Sequence, residues 1–349
     1  MGDLQLPLVI AANNGNIGGG EVMQLSIAEA ARTLGYDVRI ACPETPDPLA
    51  RAARDRGFST MAIPGSSRAA YVANLARTLR GKQRGLLWAN GLIPGLASAG
   101  IANRVVHLHR LPSTRFQQLS ARLAVANARA VLVPSRFMAE QVSQWCPRVK
   151  VMPNWTQQLD VVSRDTSPTW RVGFLGRVTQ DKGVHFLAQA LEQLTTVEGR
   201  PVELLIGGER RFESGEDLVA HALERLGHRV RFLGWLEPSD FFRQVDVAVF
   251  PSIWPEAFGL VVTEAMASGT PFVITSAGAM QEVAGPDHPW VAAPEDSSGL
   301  AGVISELLLR PKEAAKHAAL ARTRWEAMYS PQAGLSRLGD LLTELGERP

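Results

Sequence analysis

Short, uninterrupted apolar runs alternate with helix-length segments along nearly the whole chain, and they do so in two successive series. The first series falls at 6–13, 38–41, 86–90, 105–109, 131–135 and 149–153. The second falls at 172–176, 202–207, 230–233, 247–251 and 272–275. Runs this short, continuous and rich in β-branched residues suit strands buried on both faces, which need helices over each face. Two series therefore predict an α/β chain of two doubly wound parallel sheets. A length of 349 residues agrees, because single cores rarely grow past roughly 250–300 residues.

The break between the series is expected within 157–168. That stretch lacks apolar periodicity and carries Asp160, Ser163, Asp165, Ser167 and Pro168. The chain is expected to divide into residues 1–162, 163–329 and a last segment, 330–349. Ser330-Pro331 reads there as an N-cap followed by proline at the first helical position, opening a helix over 331–346 that packs back on the first domain. Ligands of open parallel sheets bind beyond the carboxyl ends of the strands, so the site is expected in a cleft between the two domains.

Cys42 and Cys146 are the only cysteines. They build neither a disulfide framework nor a zinc site, and a reducing, cytoplasmic setting is expected. The N-terminus has no signal-peptide pattern, and no window approaches ~20 apolar residues. Charge is unevenly spread. Residues 1–165 carry 19 lysines and arginines against 10 acids, whereas 166–349 carry 17 against 24. A basic first half is expected to meet an anionic acceptor or the anionic inner face of a membrane. Arg115, Arg122 and Arg129 recur every seven residues, and Phe116, Leu119 and Leu123 recur at spacings of three and four. They predict an amphipathic helix over 115–126; extended to residue 128, it brings Arg129 near the arginine stripe.

Three motifs carry candidate chemistry. Asn13-Asn14-Gly15-Asn16-Ile17-Gly18-Gly19-Gly20 joins the first strand to a helix near Glu21. Its glycines, Gly18 and Gly19 above all, let backbone N–H groups approach an anion. The spacing is neither a dinucleotide fingerprint nor a P-loop, which disfavours a nicotinamide dehydrogenase. Gly176-Arg177 ends a strand, and Lys182 stands five residues on, where a helix should begin. Two cations at such a point suit a diphosphate and its growing charge during bond cleavage. The third motif, Pro251 to Pro271, places Glu256 in a loop and Glu264 about five residues into the next helix, or ~7.5 Å along its axis. One carboxylate can then meet a sugar and the other a ribose. Phe258, Gly259 and Leu260 lie at the helix start, where free N–H groups face outward.

The 251–271 stretch closely resembles the signature of the retaining family 4 glycosyltransferases: Glu, seven residues, Glu, then Ala-Met-Ala-Ser-Gly-Thr-Pro. The likeness continues in Gly176-Arg177…Lys182-Gly183, Leu205-Ile206-Gly207-Gly208, Phe232-Leu233-Gly234, Val131-Leu132-Val133-Pro134-Ser135, Val151-Met152-Pro153-Asn154 and the opening glycine loop. It implies a GT-B fold, with two Rossmann-like domains facing an interdomain cleft. It also implies a nucleotide-sugar donor, UDP- or GDP-linked, and a glycan, lipid or small-molecule acceptor. Arg177 and Lys182 would bind the diphosphate, Glu264 the ribose and Glu256 the transferred sugar; His109 matches the family's histidine near the reacting centre. The family usually has aspartate next, whereas this chain has Arg110. Arg110 and Asn14 are candidate acceptor contacts. No Asp-x-Asp occurs, and no metal, cofactor or nucleic acid is expected. A nucleotide-sugar epimerase and a non-catalytic nucleotide-sugar binder are the alternatives.

Overall fold

A computed structural model describes residues 6–82, 85–161, 167–208 and 217–347. The chain forms two compact units, one of Met1–Trp155 with Pro331–Pro349 and one of Thr156–Ser330. The boundary expected at 162/163 falls outside the described residues.

In the first unit the strands are β1 (Pro7–Ala12), β2 (Asp37–Pro43), β3 (Ser59–Ile63), β4 (Leu86–Asn90), β5 (Arg104–His107), β6 (Ala130–Val133) and β7 (Val149–Val151). They form one parallel sheet in the order β3-β2-β1-β4-β5-β6-β7. Chain order reverses between β1 and β4, which makes that pair of strand tips the switch point where ligands gather in such sheets. Side chains of β1 alternate between two cores: Leu8 and Ile10 enter one, Val9 and Ala11 the other. The helix Pro331–Glu344 belongs to this unit and buries Leu338, Leu341 and Leu342 beside Leu8 and Ile27.

The second unit holds β8 (Trp170–Leu175), β9 (Thr196–Val197), β10 (Arg200–Gly207), β11 (Val230–Gly234), β12 (Val247–Phe250), β13 (Phe272–Thr275) and β14 (Val291–Ala292). Its parallel order is β11-β10-β8-β12-β13-β14, with β9 antiparallel on β10. The switch point here lies between β8 and β12, so the loops after these strands are where a ligand is expected. Val172 and Val247 face one core, Leu175 and Ala248 the other.

The helix expected over 115–126 runs Arg115–Val125. It does not reach Arg129, whose guanidinium is instead paired with Glu347 at 2.6 Å. It buries Ser120, Ala121, Ala124 and Val125, while Phe116, Leu119 and Leu123 stay exposed.

Candidate active site

The tips of β8 and β12 carry the two charged motifs. After Leu175 the chain passes Arg177, makes a short 3-10 turn over Gln180–Lys182 and enters the helix Val184–Gln193. Lys182 Nζ lies 2.5 Å from Glu256 Oε1, in the loop after β12. The same oxygen accepts the Ser252 hydroxyl at 2.7 Å, and the Ser252 carbonyl accepts Thr275 Oγ1 at 2.6 Å. Charge-assisted bonds of this kind are among the stronger ones in proteins. The pair is mostly covered, with 25% of the lysine side chain and 18% of the glutamate side chain accessible. Its geometry is therefore held by neighbours rather than by solvent averaging.

The backbone explains why that geometry recurs each time the chain folds. The Asp181 carbonyl accepts the N–H groups of Ile253 at 3.1 Å and Trp254 at 3.3 Å, clipping one strand-tip loop to the other. Gly183 sits at φ 69° and so close to the next loop that a β-carbon there would lie 1.8 Å from the Pro251 carbonyl oxygen. On the far side of Glu256, Ala279 donates its N–H to the Glu256 carbonyl at 2.9 Å. A β-carbon on Gly278 would come within 2.5 Å of the Glu256 backbone. Both glycines are required by close approach of another strand of backbone.

Arg177 follows the same strand tip but is held more loosely. Its side chain is 59% exposed and lies 3.8 Å from Asp181, whose carboxylate accepts the Thr179 hydroxyl. The two cations thus stand beside two carboxylates. An incoming dianion must compete with Asp181 and Glu256 for them, which favours a ligand with several oxygens over a single weak anion.

Phe258, Gly259 and Leu260 form the entry to the helix Leu260–Ser268. Phe258 is buried edge-on to Tyr329, with ring centroids 5.5 Å apart. Its side chain anchors the loop and leaves only backbone for a ligand. Gly259 is the left-handed N-cap and offers no side-chain cap. The Val262 N–H is taken by the Gly259 carbonyl at 3.0 Å, whereas the N–H groups at the very start of a helix have no acceptor inside it. Glu264 keeps part of its surface accessible, yet protein crowds its carboxyl. Burial first, and the negative Glu237 second, push its pKa up to about 8. No hydrogen bond or ion pair among the described residues reaches that carboxyl. Glu237 and Ser252 are contributors that the sequence motifs did not single out.

In the first unit, His109 follows β5, and its Nε2 lies 2.7 Å from Asn90 Oδ1 at the end of β4. The Asn90 amide nitrogen already donates to the Gly20 carbonyl at 3.0 Å and to Gln24 Oε1 at 3.3 Å. Its oxygen must therefore accept, so His109 carries its proton on Nε2. Burial lowers the His109 pKa to about 4, which leaves a neutral ring at pH 7. Its Nδ1 is buried without a hydrogen-bond partner. Asn90 had no motif to mark it; only the parallel neighbouring of β4 and β5 reveals it.

Among the other first-unit candidates, Asn14 and Gly18 are already engaged within their own loop. Asn14 closes a turn on its own loop, its Oδ1 accepting the N–H groups of Gly15 at 2.8 Å and Asn16 at 3.3 Å. The Gly18 N–H is taken by the Glu21 carboxylate at 3.2 Å, and Gly19 opens the helix Gly19–Thr33. Glu21 is buried, which raises its pKa, with its own and the Gly18 backbone N–H groups and Arg110 opposing. Arg110 is exposed.

Comparison with known proteins gives the family and the fold. Residues 169–310 match the family profile of the glycosyl transferases group 1, and residues 18–155 match that of the glycosyl transferase 4-like domain. The uncharacterized glycosyltransferase MJ1607 of Methanocaldococcus jannaschii is 36% identical over 117 residues, 32% of this chain and 28% of that protein. The glycogen synthase of Mycobacterium tuberculosis is 34% identical over 156 residues, 43% of this chain and 37% of that protein. The matched segments thus span about a third of these relatives' length. Among solved structures, Anabaena HepE in complex with UDP and glucose superposes with a TM-score of 0.82 at 21% identity, covering 97% of this chain and all of the other. It shares the fold of two Rossmann-like domains.

Proposed function

This chain belongs to the GT-B glycosyltransferases of group 1, and we propose that it moves a sugar from a nucleoside-diphosphate sugar to a hydroxyl of an acceptor, with retention at the anomeric carbon and without a metal. The observation that carries this reading is the Lys182–Glu256 pair, built at the β8/β12 switch point with Arg177 beside it. A leaving diphosphate gains charge as the glycosidic bond breaks, and fixed cations at that point stabilise it without reorganising. The first-turn N–H groups at Gly259 and Leu260 add positive potential for the same oxygens.

In this mechanism Lys182 and Arg177 hold the diphosphate, Glu264 holds the ribose and Glu256 contacts the sugar being transferred. The acceptor oxygen attacks the face that the diphosphate leaves, and the departing phosphate oxygen takes the acceptor's proton. No protein nucleophile is needed. His109 acts as a neutral hydrogen-bonding group near the reacting centre, its ring oriented by Asn90. Arg110, exposed beside it, favours an acceptor that carries negative charge.

The test is incubation with UDP- and GDP-linked sugars and a panel of acceptors, UDP-glucose first because UDP and glucose occupy the HepE structure. Transfer is expected with the anomeric configuration retained, read from the anomeric coupling constant of the product, and with unchanged turnover in EDTA. An inverted product, or turnover abolished by EDTA and restored by a divalent cation, would refute the mechanism. Conversion of the donor sugar to its epimer without transfer would instead identify an epimerase.

A further inference from the structure

The helix Arg115–Val125 is built the wrong way round for a helix that merely covers a core. Its inner face is mostly small residues: Ser120, Ala121 and Ala124 are buried with Val125, and Ala124 packs so near Gly95 that a β-carbon there would lie 3.0 Å away. Its large apolar side chains point outward, with Phe116 79%, Leu119 61% and Leu123 64% exposed. Spaced at three and four residues, they form one stripe about 10 Å long. Single exposed apolar residues are ordinary, but an aligned stripe of large ones marks a contact surface.

The helix is also fixed in that orientation. Thr114 caps its N-terminus by accepting the Gln117 N–H at 3.2 Å. At the other end the buried Arg104 donates to the carbonyls of Ala124 and Ala126, each at 2.5 Å. Both ends are tied, so the stripe is presented outward as a settled feature of the fold.

Charge says what the stripe meets. Arg115 and Arg122, seven residues apart, flank the apolar stripe; both are exposed, and neither has an acidic partner among the described residues. The surrounding chain is one-sided: residues 56–139 contain twelve lysines and arginines and no aspartate or glutamate. Apolar side chains beside unpaired arginines complement a surface that is apolar within and anionic at its rim. We propose that the Arg115–Val125 helix docks this protein peripherally on an anionic lipid bilayer, with Phe116, Leu119 and Leu123 entering the interface and Arg115 and Arg122 meeting lipid phosphates. No helix among the described residues is long and apolar enough to cross a membrane, so the contact is one of lying on the surface.

Co-sedimentation of the full chain with vesicles tests this, using phosphatidylcholine alone and an equal mixture of phosphatidylcholine and phosphatidylglycerol. Binding to the mixed vesicles is expected, with little to phosphatidylcholine alone. It should weaken as salt rises from about 0.1 M to about 1 M and the Debye length falls from about 10 Å to about 3 Å. The triple variant Phe116→Ser, Leu119→Ser, Leu123→Ser should partition at least about tenfold more weakly. The pair Arg115→Gln, Arg122→Gln should lose most of its preference for the anionic vesicles. All five side chains are exposed, so unchanged thermal melts serve as the folding control. Absence of binding to the mixed vesicles at low salt overturns the proposal, as does undiminished binding by the serine variant. A concentration-dependent dimer that the serine variant abolishes, without vesicle binding by the native chain, assigns the stripe to a second copy and also overturns it.

Discussion

Replacing Lys182 with methionine is expected to lower turnover about 10²–10³-fold while the protein stays folded. Methionine keeps much of the lysine stem's packing and removes only the charged end. Glu256 then loses its cation but keeps the Ser252 hydroxyl at 2.7 Å, so its carboxylate is not left wholly unsatisfied. The loop clips survive because Asp181 holds Ile253 and Trp254 through backbone alone. The loss should therefore fall on the reaction. Charge on the leaving diphosphate is greatest in the transition state, so kcat should drop more than the affinity for bare nucleotide diphosphate. Arg177→Ala should lose less, because its side chain is more than half exposed and only loosely paired. Steady-state kinetics beside calorimetric titration with UDP and GDP separates the two quantities. A Lys182→Met enzyme with native turnover would remove the diphosphate assignment.

The contrast between these two cations was not visible in the sequence. Their spacing after a strand tip placed them near one anion site. Lys182's partner, however, is 74 positions away, and Ser252 has no motif of its own. What brings them together is that β8 and β12 are neighbours at the switch point, a consequence of sheet order that local pattern does not encode. The long buried strands were legible for the opposite reason, since a run apolar on both faces has few other places to go. The edge strand Ser59–Ile63, with most of its residues half-buried or exposed, carries no such signature and escaped the reading.

The helix Arg115–Val125 shows what periodicity leaves open. Its apolar spacing announced a helix but did not say which face turns inward. Small residues pack a helix closely onto its neighbour as well as large ones pack it at a distance, and spacing alone does not rank them. His109 gives a related case. The family resemblance placed it near the reacting centre, but only burial and Asn90, seen in the structure, make it neutral and fix its tautomer.

Glu264→Gln is expected to stabilise the unliganded protein at pH 8 and at the same time to weaken nucleotide binding about tenfold or more at that pH. The carboxyl has a folded-state pKa of about 8 against an ordinary value of 4.5, set by burial and then by Glu237. The sign follows from proton counting. Between these two values the unfolded chain binds fewer protons than the folded one, so native stability falls as pH rises through that window. The penalty is absent below the unfolded value, grows toward pH 8 and is complete above it, reaching on the order of a few kcal/mol. Glutamine has no proton to lose and escapes it, so the melting temperature of the variant should exceed that of the native protein by several degrees at pH 8 and match it near pH 4.5. A protein that tolerates such a cost at one position is storing a hydrogen-bond acceptor for something absent. Ribose hydroxyls donating to the ionised carboxylate would supply what the fold withholds, and would favour loss of its proton. Nucleotide binding near pH 7 should accordingly release a proton, seen as a dependence of the calorimetric heat on the buffer's ionisation enthalpy. In Glu264→Gln that dependence should vanish. A variant that gains no stability at pH 8, and binds nucleotide as the native protein does, would show that this carboxyl is neither strained nor a ribose ligand.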